Sequence, residues 1–341
     1  DAFDIDKLRP AVFTLIAIEE PENSLSPHYL GRVVRTLTTF AEGQDSQALV
    51  ATHAPSLLRR VPPESVRYLR LNEVRETVIK SIELPTEETA QKFVREGVQA
   101  FPELYFSRLV ILGEGDSEQI VLPRLLEARG ILADDASISF APLGGRHVNH
   151  FWRLLNGLGI PHVTLLDLDV ARYQGGWGRI KYAASQLLNY ADAEENNLTQ
   201  KDISDIPKWN SNDGIIVDDK GWIKRLEGLG VYFSSPLDLD FMMMTHYPTA
   251  YGVEDDDLKD PDEGTVKAVL GKKHDVLGNQ YTDEEQAYFD SYHQRFKLDS
   301  KPTSHIRAIS NLDEDSLIED MPDVLDRMFD AVEAKLRDLP D

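Results

Sequence analysis

Three apolar runs in this chain end in carboxylates, and that pairing constrains the fold more than any other feature. Val110–Leu112 runs into Gly-Glu-Gly-Asp-Ser-Glu at 113–118, and Val163–Leu166 runs into Asp-Leu-Asp at 167–169. Val231–Phe233 leads through Ser-Ser-Pro-Leu to Asp238 and Asp240. A short apolar run bounded by Gly and Asp reads as a buried strand. Buried strands that alternate with helical segments form a parallel α/β sheet, and residues at their carboxyl ends line the crevice where such sheets bind ligands. Carboxylate oxygens gathered there suit a hard cation, Mg²⁺ or Mn²⁺, because several acids that close would not all stay ionised without one. The ligand candidates at the first two clusters are Glu114, Glu118, Asp167 and Asp169, with Asp116 as a weaker one. The bland alternative for Glu114, Asp116 and Glu118 alone is that they complement the dipole of the helix they begin. The 53 residues between Glu114 and Asp167 fit one strand and two helices, which would put the two clusters on neighbouring strands.

With 341 residues, 41% of them hydrophobic, the chain is long enough for two or three domains. The first runs over 1–100: a buried strand at 12–18, a helix at 26–41, a strand at 48–52 ending in His53, then two segments, 66–71 and 77–84, that read as an antiparallel pair. The second runs over 101–341. It is expected to hold strands at 108–112, 137–141, 162–166 and 231–235, helices at 117–129 and 148–158, and Ser117 as a helix N-cap. Polar, mostly helical insertions follow at 175–229 and 241–300, then a helical tail over 317–339.

Cysteine is absent, which excludes disulfides and thiolate metal sites and fits a reducing compartment. No apolar run approaches the ~20 residues of a membrane helix, so a soluble, cytoplasmic protein with no membrane partner is expected. The net charge of −23 argues against broad affinity for polyanions. Screening leaves room for a local basic patch. Arg146, His147, His150, Arg172, Arg179 and Lys181, with Trp152 and Trp177 among them, are placed to hold a DNA strand, or are ordinary surface charge and core aromatics.

The Glu at one strand end and the Asp-x-Asp at a later one resemble the Toprim domain, over residues 108 to about 241. That resemblance implies one or two Mg²⁺ or Mn²⁺ ions held by Glu114, Asp167 and Asp169 for phosphodiester transfer. Leu15–Glu22 (LIAIEEPE), followed by Ala51–Pro55 (ATHAP), resembles the Walker B region and switch histidine of an ABC-type ATPase. It implies that Glu20 polarises a water, Glu19 helps hold Mg²⁺ and His53 senses the γ-phosphate. The fold expected is therefore α/β: the C-terminal half of an ABC-type ATPase sheet followed by a Toprim domain, a Rossmann-like parallel sheet with helical insertions.

This order is that of the OLD (overcoming lysogenization defect) family nucleases, which include the nuclease subunit of the Gabija antiphage system. The resemblance implies a catalytic lysine, Lys272 or Lys273, in Val269–Lys273, and further metal ligands in Pro236–Asp240: Asp240, with Asp238 as a weaker candidate. It also implies DNA as substrate and a homodimer or higher homo-oligomer formed through the ATPase part. The sequence departs from the pattern in lacking any G-x-x-x-x-G-K-[ST] phosphate loop or L-S-G-G-Q-like signature. ATP is thus expected as a cofactor only in a longer protein that carries the loop. The function expected is a two-metal DNA endonuclease. The alternatives are a non-catalytic dimerisation or regulatory fragment and a Toprim topoisomerase-like enzyme, which would need a tyrosine-bearing module.

Overall fold

The computed structural model describes residues 12–23, 25–72, 74–84, 88–143, 148–190, 197–209, 218–271 and 281–339. They fall into two compact units: one holds residues up to Tyr68 together with Ile79–Phe106, the other Leu69–Val78 together with Ser107 onward.

In the first unit β1 (Thr14–Glu19) and β2 (Ser46–Ala51) pair in parallel, Glu19 opposite Ala51, and α1 (Pro27–Ala41) connects them. Pro27 opens α1, where its missing N–H leaves nothing unbonded. Leu30 and Val34 recur at helical spacing, so they share one face and pack against Leu57 of the short α2 (Pro55–Leu58) and against Val50. The sequence predicts a buried strand at 12–18, and the structure differs. Ile16 and Ile18 are half-buried, while Leu15 and Leu49 are 53% and 58% exposed. Successive strand residues face opposite sides, and among the described residues of this unit α1 covers one side only. The expected second pair is present as β3 (Arg67–Leu71) and β4 (Thr77–Ser81). The Asn72 side chain, which accepts from the amides of Val74 and Glu76 at 3.1 and 2.8 Å, shapes the turn between them. Helix α3 (Glu88–Ala100) follows.

The second unit is built on four parallel strands in the order β6-β5-β7-β8: β5 (Leu109–Gly113), β6 (Ile138–Pro142), β7 (His162–Asp167) and β8 (Val231–Ser234). Helix α4 (Asp116–Ala128) joins β5 to β6, and α5 (Val148–Leu158) joins β6 to β7. Between β7 and β8 lie α6 (Trp177–Tyr190), α7 (Gln200–Asp205) and α8 (Trp222–Glu227). Leu109–Leu112 of β5 are wholly buried, as are Val121, Leu122, Leu125 and Leu126 of α4. That burial is what a central strand in a parallel sheet, covered on both faces, requires.

Among the described residues, β8 is followed by α9 (Leu239–His246), α10 (Glu263–Leu270), α11 (Asp283–Ala287), α12 (Phe289–Tyr292), α13 (Lys301–Ile309), α14 (Glu314–Glu319) and α15 (Asp323–Asp338). The tail is two helices rather than one, because Pro322 sits at the start of α15 and cannot continue a preceding helix. Its apolar stripe, Leu325, Met328, Phe329 and Val332, is fully buried and α15 packs along β5 and β8. Since β5 lies between β6 and β7, the winding reverses beside its carboxyl end. Crevices at such reversals are where open α/β sheets place ligands. Among the described residues no helix is long and apolar enough to cross a membrane.

Candidate active site

Backbone packing delivers the first acids to this crevice. Gly113 ends β5, and a Cβ there would lie 2.3 Å from the Cβ of Glu118, so glycine alone lets the first turn of α4 fold against the strand. The residue preceding α4 is Gly115, and Ser117 is buried within the helix, correcting the cap expected at Ser117. Glu118 accepts from the Gly115 amide at 2.8 Å, which satisfies one of the helix's free N–H groups. Asp116 is exposed in the same turn. It is a dipole partner of α4, and no contact joins it to the other acids.

The Glu114 carboxylate accepts from the Asp167 amide at 3.0 Å, binding the ends of β5 and β7 together. Asp167 Oδ1 in turn accepts from the Ser234 hydroxyl (2.8 Å) and the Leu239 amide (3.2 Å), which brings in β8 and α9. Beyond Asp167 the chain turns back sharply, with φ of +53° at Asp169 and +66° at Ala171, the left-handed region that L-residues seldom adopt. Gly175 closes this turn, where a Cβ would fall 1.7 Å from the Asp169 carbonyl oxygen.

The turn folds two arginines onto the acids. Arg179 contacts Glu114 at 3.0 Å and Asp169 at 2.5 Å. Arg172 donates to Asp169 (2.8 Å), Asp238 (2.9 Å), the Tyr292 hydroxyl (3.0 Å) and the Val269 carbonyl (3.0 Å). Asp238 also caps α9 through the Phe241 amide and accepts from the Tyr292 hydroxyl at 2.5 Å. Asp240 pairs with Lys301 and lies 2.9 Å from Nε2 of the wholly buried His305, whose Nδ1 meets the Tyr251 hydroxyl at 2.6 Å.

Six carboxylates, Glu114, Glu118, Asp167, Asp169, Asp238 and Asp240, thus share one crevice with three permanent cations in contact: Arg172, Arg179 and Lys301. The excess charge falls on those without an ion-pair partner. Burial pushes the Asp167 carboxyl well above its ordinary value, and Glu114, Glu118, Asp238 and Asp169 push it further. Burial, with Asp240 and Glu114 adding, raises Glu118 to about 8 against the hydrogen bonds that favour its charged form. Glu114 is also raised, by burial that outweighs Arg179. Burial would lift Asp169 and Asp240 as well. The guanidinium groups on Asp169, and His305 with Lys301 on Asp240, outweigh it and hold both below the ordinary range.

An all-oxygen donor set with surplus negative charge fits a hard divalent cation in chemistry and in charge. Among the described residues, no three acidic or histidine side chains converge tightly enough to form a ready cage. Arg179, spanning Glu114 and Asp169, fills part of the space between them.

Of the residues named from sequence, the structure brings together Glu114, Glu118, Asp167, Asp169, Asp238 and Asp240, and leaves Asp116 outside. Lys272 and Lys273 lie outside the described residues, as do Arg146 and His147. Arg172 and Arg179, read as DNA contacts, point inward to the acids. Trp152, read alongside them, is core: it is 1% exposed and donates to Thr164 at 2.8 Å. Sequence reasoning missed Tyr292, Lys301 and His305. They lie 54 to 65 residues beyond their acidic partners, Asp238 and Asp240, on helices whose only signal is apolar spacing.

In the first unit, Glu20 and His53 do meet, at 3.3 Å, and Glu19 is exposed. The unexpected member is Glu22, which accepts from the Thr52 hydroxyl at 2.7 Å and stands 3.8 Å from His53.

Residues 105–169, the segment that carries Glu114, Glu118, Asp167 and Asp169, match the family model of the overcoming lysogenization defect protein-like TOPRIM domain. The chain carries an OLD-like Toprim domain. Residues 7–59 match the family model described as AAA domain, putative AbiEii toxin, Type IV TA system, so an ABC-type ATPase-like segment precedes the Toprim domain. Endonuclease GajA of Bacillus cereus (strain VD045) is 27% identical over 161 residues, covering 47% of this chain and 27% of GajA. The chain therefore spans about a quarter of that relative's length. Among solved structures, the C-terminal region of the Burkholderia pseudomallei OLD protein matches with a TM-score of 0.40 and 21% identity, over 67% of this chain and 99% of that one. The corresponding region of the Xanthomonas campestris pv. campestris OLD protein gives 0.38 and 20%, over 67% and 98%.

Proposed function

We propose that this chain is the nuclease part of a metal-dependent DNA endonuclease, with ATPase-type residues over 1–100 and the Toprim nuclease over 101–341. The observation that carries the reading is the charge imbalance at the sheet edge. Six carboxylates meet beyond the ends of β5, β7 and β8, and the two without an ion-pair partner, Asp167 and Glu118, are pushed up by burial and by their acidic neighbours. A structural cluster would have been matched with cations. This one is left short by an amount that one or two Mg²⁺ or Mn²⁺ ions would supply.

Glu114, Glu118 and Asp167 would hold the ions, with Asp169 joining if Arg179 swings away. Bound there, a divalent ion supplies Lewis acidity to the phosphodiester and to an attacking water. Asp238 and Asp240 act one step out. Asp238 fixes Arg172 and Tyr292, and Asp240 fixes Lys301 at the rim, where its ammonium can face a phosphate oxygen. A lysine at 272 or 273 would assist the departing oxygen. ATP control would come from a longer protein with a phosphate loop, assembled as a homo-oligomer through its ATPase part.

GajA, an endonuclease by name, supports the substrate class. Nicking of supercoiled plasmid in Mg²⁺ and Mn²⁺, by wild type and by Asp167→Asn, tests the reading. Cutting by wild type that is lost in chelator and in the variant supports it, and cutting by the variant at wild-type rate refutes it. Absence of cutting under every metal would favour the scaffold alternative.

A further inference from the structure

Beside the acidic crevice, a cavity of about 480 Å³ opens between α6, Gln174 just before it, and Lys208 and Trp209. Among the described residues its lining includes Gln174, Arg179, Lys181, Tyr182, Lys208 and Trp209, with no acidic side chain. In a chain with 59 acidic and 36 basic residues, a wall whose described residues include three cations and no acid stands apart. Two aromatic rings, Trp209 and Tyr182, line it as well, and Tyr173 meets Trp209 edge-to-face at 5.0 Å between centroids.

The wall is built into the active-site turn. The Trp209 indole N–H donates to the Arg172 carbonyl at 3.2 Å, and Trp209 packs on Gly178, where a Cβ would come within 3.2 Å of it. Arg179 lines the cavity and at the same time contacts Glu114 and Asp169. Lys181 is anchored by donating to the Ile206 carbonyl at 3.0 Å, while Lys208 is exposed at the mouth.

We propose that this cavity receives one unpaired nucleotide of the DNA strand being cut, next to the scissile phosphate. The proposal rests on the nuclease reading above and names the form of DNA that the site takes. Its volume lies in the ~300–1,000 Å³ range of pockets that hold small ligands. Aromatic faces beside fixed cations are the pairing that binds single-stranded nucleic acid, where bases stack and phosphates are neutralised. A base stacked within a duplex presents no free face, so only an unpaired or extruded one can enter. A free nucleotide shares this chemistry. The continuity of the wall with the acidic turn favours the strand.

The test is binding measured by fluorescence anisotropy in chelator, so that nothing is cut. The probes are a labelled single-stranded oligonucleotide and the same sequence as a blunt duplex, with dAMP as competitor. The single strand should bind more tightly than the duplex, and Trp209→Leu should weaken single-strand binding about tenfold. Lys208→Glu should weaken it several-fold with a shallower salt dependence. Trp209→Phe, which keeps an aromatic face, should retain most of the affinity, and duplex binding should not change in any variant. The proposal is overturned by equal losses on both DNA forms, by no loss in either Trp209→Leu or Lys208→Glu, by a Phe variant as weak as the Leu variant, or by displacement with micromolar dAMP. Plasmid nicking by wild type decides the nuclease reading separately. A chain that binds single strands through Trp209 yet never nicks refutes that reading alone, and a nicking chain with unaltered Lys208→Glu binding refutes the cavity alone.

Discussion

Replacing Glu118 with Gln should stabilise the metal-free protein at alkaline pH, although it alters a residue buried in the acidic crevice. Glu118 is 5% exposed, and its folded-state acidity lies at about 8 rather than the ordinary 4.5. Between those two values the folded state holds a proton that the unfolded chain has released. Folding stability therefore falls as pH rises through that window, and the loss is complete above pH 8. At about 1.4 kcal/mol for each tenfold difference, the ceiling is about 5 kcal/mol. Relaxation and water entry reduce such penalties, so about 2–4 kcal/mol is the working expectation. Glutamine keeps an oxygen to accept from the Gly115 amide and carries no charge, so the variant escapes the loss and preserves the helix start.

Thermal or urea unfolding in chelator, from pH 5 to pH 8.5, measures the difference. At pH 5 the two proteins should be similar. At pH 8.5 the variant should unfold several degrees higher, given roughly 2–4 °C per kcal/mol for a domain of this size. Adding Mg²⁺ should restore the wild type and affect the variant less, because ligand binding to the folded state alone stabilises it. Parallel stability curves for wild type and variant across the range would refute the charge-imbalance argument, and with it the main support for a cation site.

Glu114→Gln, like Asp167→Asn, should abolish plasmid nicking while leaving circular dichroism and melting in Mg²⁺ near wild type. Arg179→Gln removes the cation between Glu114 and Asp169, so the metal-free protein should lose about 3–5 kcal/mol, as broken buried ion pairs do, while calorimetry shows tighter Mn²⁺ binding; unchanged Mn²⁺ affinity would mean that Arg179 does not compete with metal. Replacing both Lys272 and Lys273 with Ala should lower turnover on the order of 10²-fold with little change in metal binding, and equal losses in both would point to a structural role. Titration with ATP and Mg²⁺ should show no micromolar affinity, and nicking should proceed without nucleotide; cleavage that requires ATP would refute the separation of the two activities.

The strands of the second unit were legible because a buried parallel strand must be apolar on both faces, and Val110–Leu112 and Val163–Leu166 are. Helices α4 and α5 followed from the spacing between those strands. The first unit misled for the same reason. Leu15 and Leu49 are as apolar as a buried strand demands, yet more than half exposed, and periodicity reports what a face is made of, not whether another layer covers it. The single tail helix was wrong by one proline, since the apolar spacing of α15 extends back into α14 and hides the break at Pro322.

At the site, sequence exposed the acids and concealed what holds them. Carboxylates that end strands announce themselves because an apolar run makes them conspicuous, and the charge of Arg172 and Arg179 was visible too. Their direction was not. A basic residue a few positions beyond an Asp-x-Asp is equally compatible with facing solvent, facing DNA or folding back, and the choice depends on the left-handed turn at Asp169 and Ala171, closed by Gly175. Once that turn exists, both guanidinium groups meet the acids within 2.5–3.0 Å, and the question of function changes from where the charges are to which of them can be displaced. Asp238 is locked by Arg172, Tyr292 and its own helix cap, and Asp240 by Lys301 and a wholly buried histidine. Neither can change partners without disturbing the core of α9 and α12. Glu114, Glu118 and Asp167 are held mainly by backbone amides and a serine, with Arg179 on Glu114 alone. A cation that enters this crevice would therefore meet its least resistance at those three, and it is there, rather than at Asp238 and Asp240, that the proposed metal would be held.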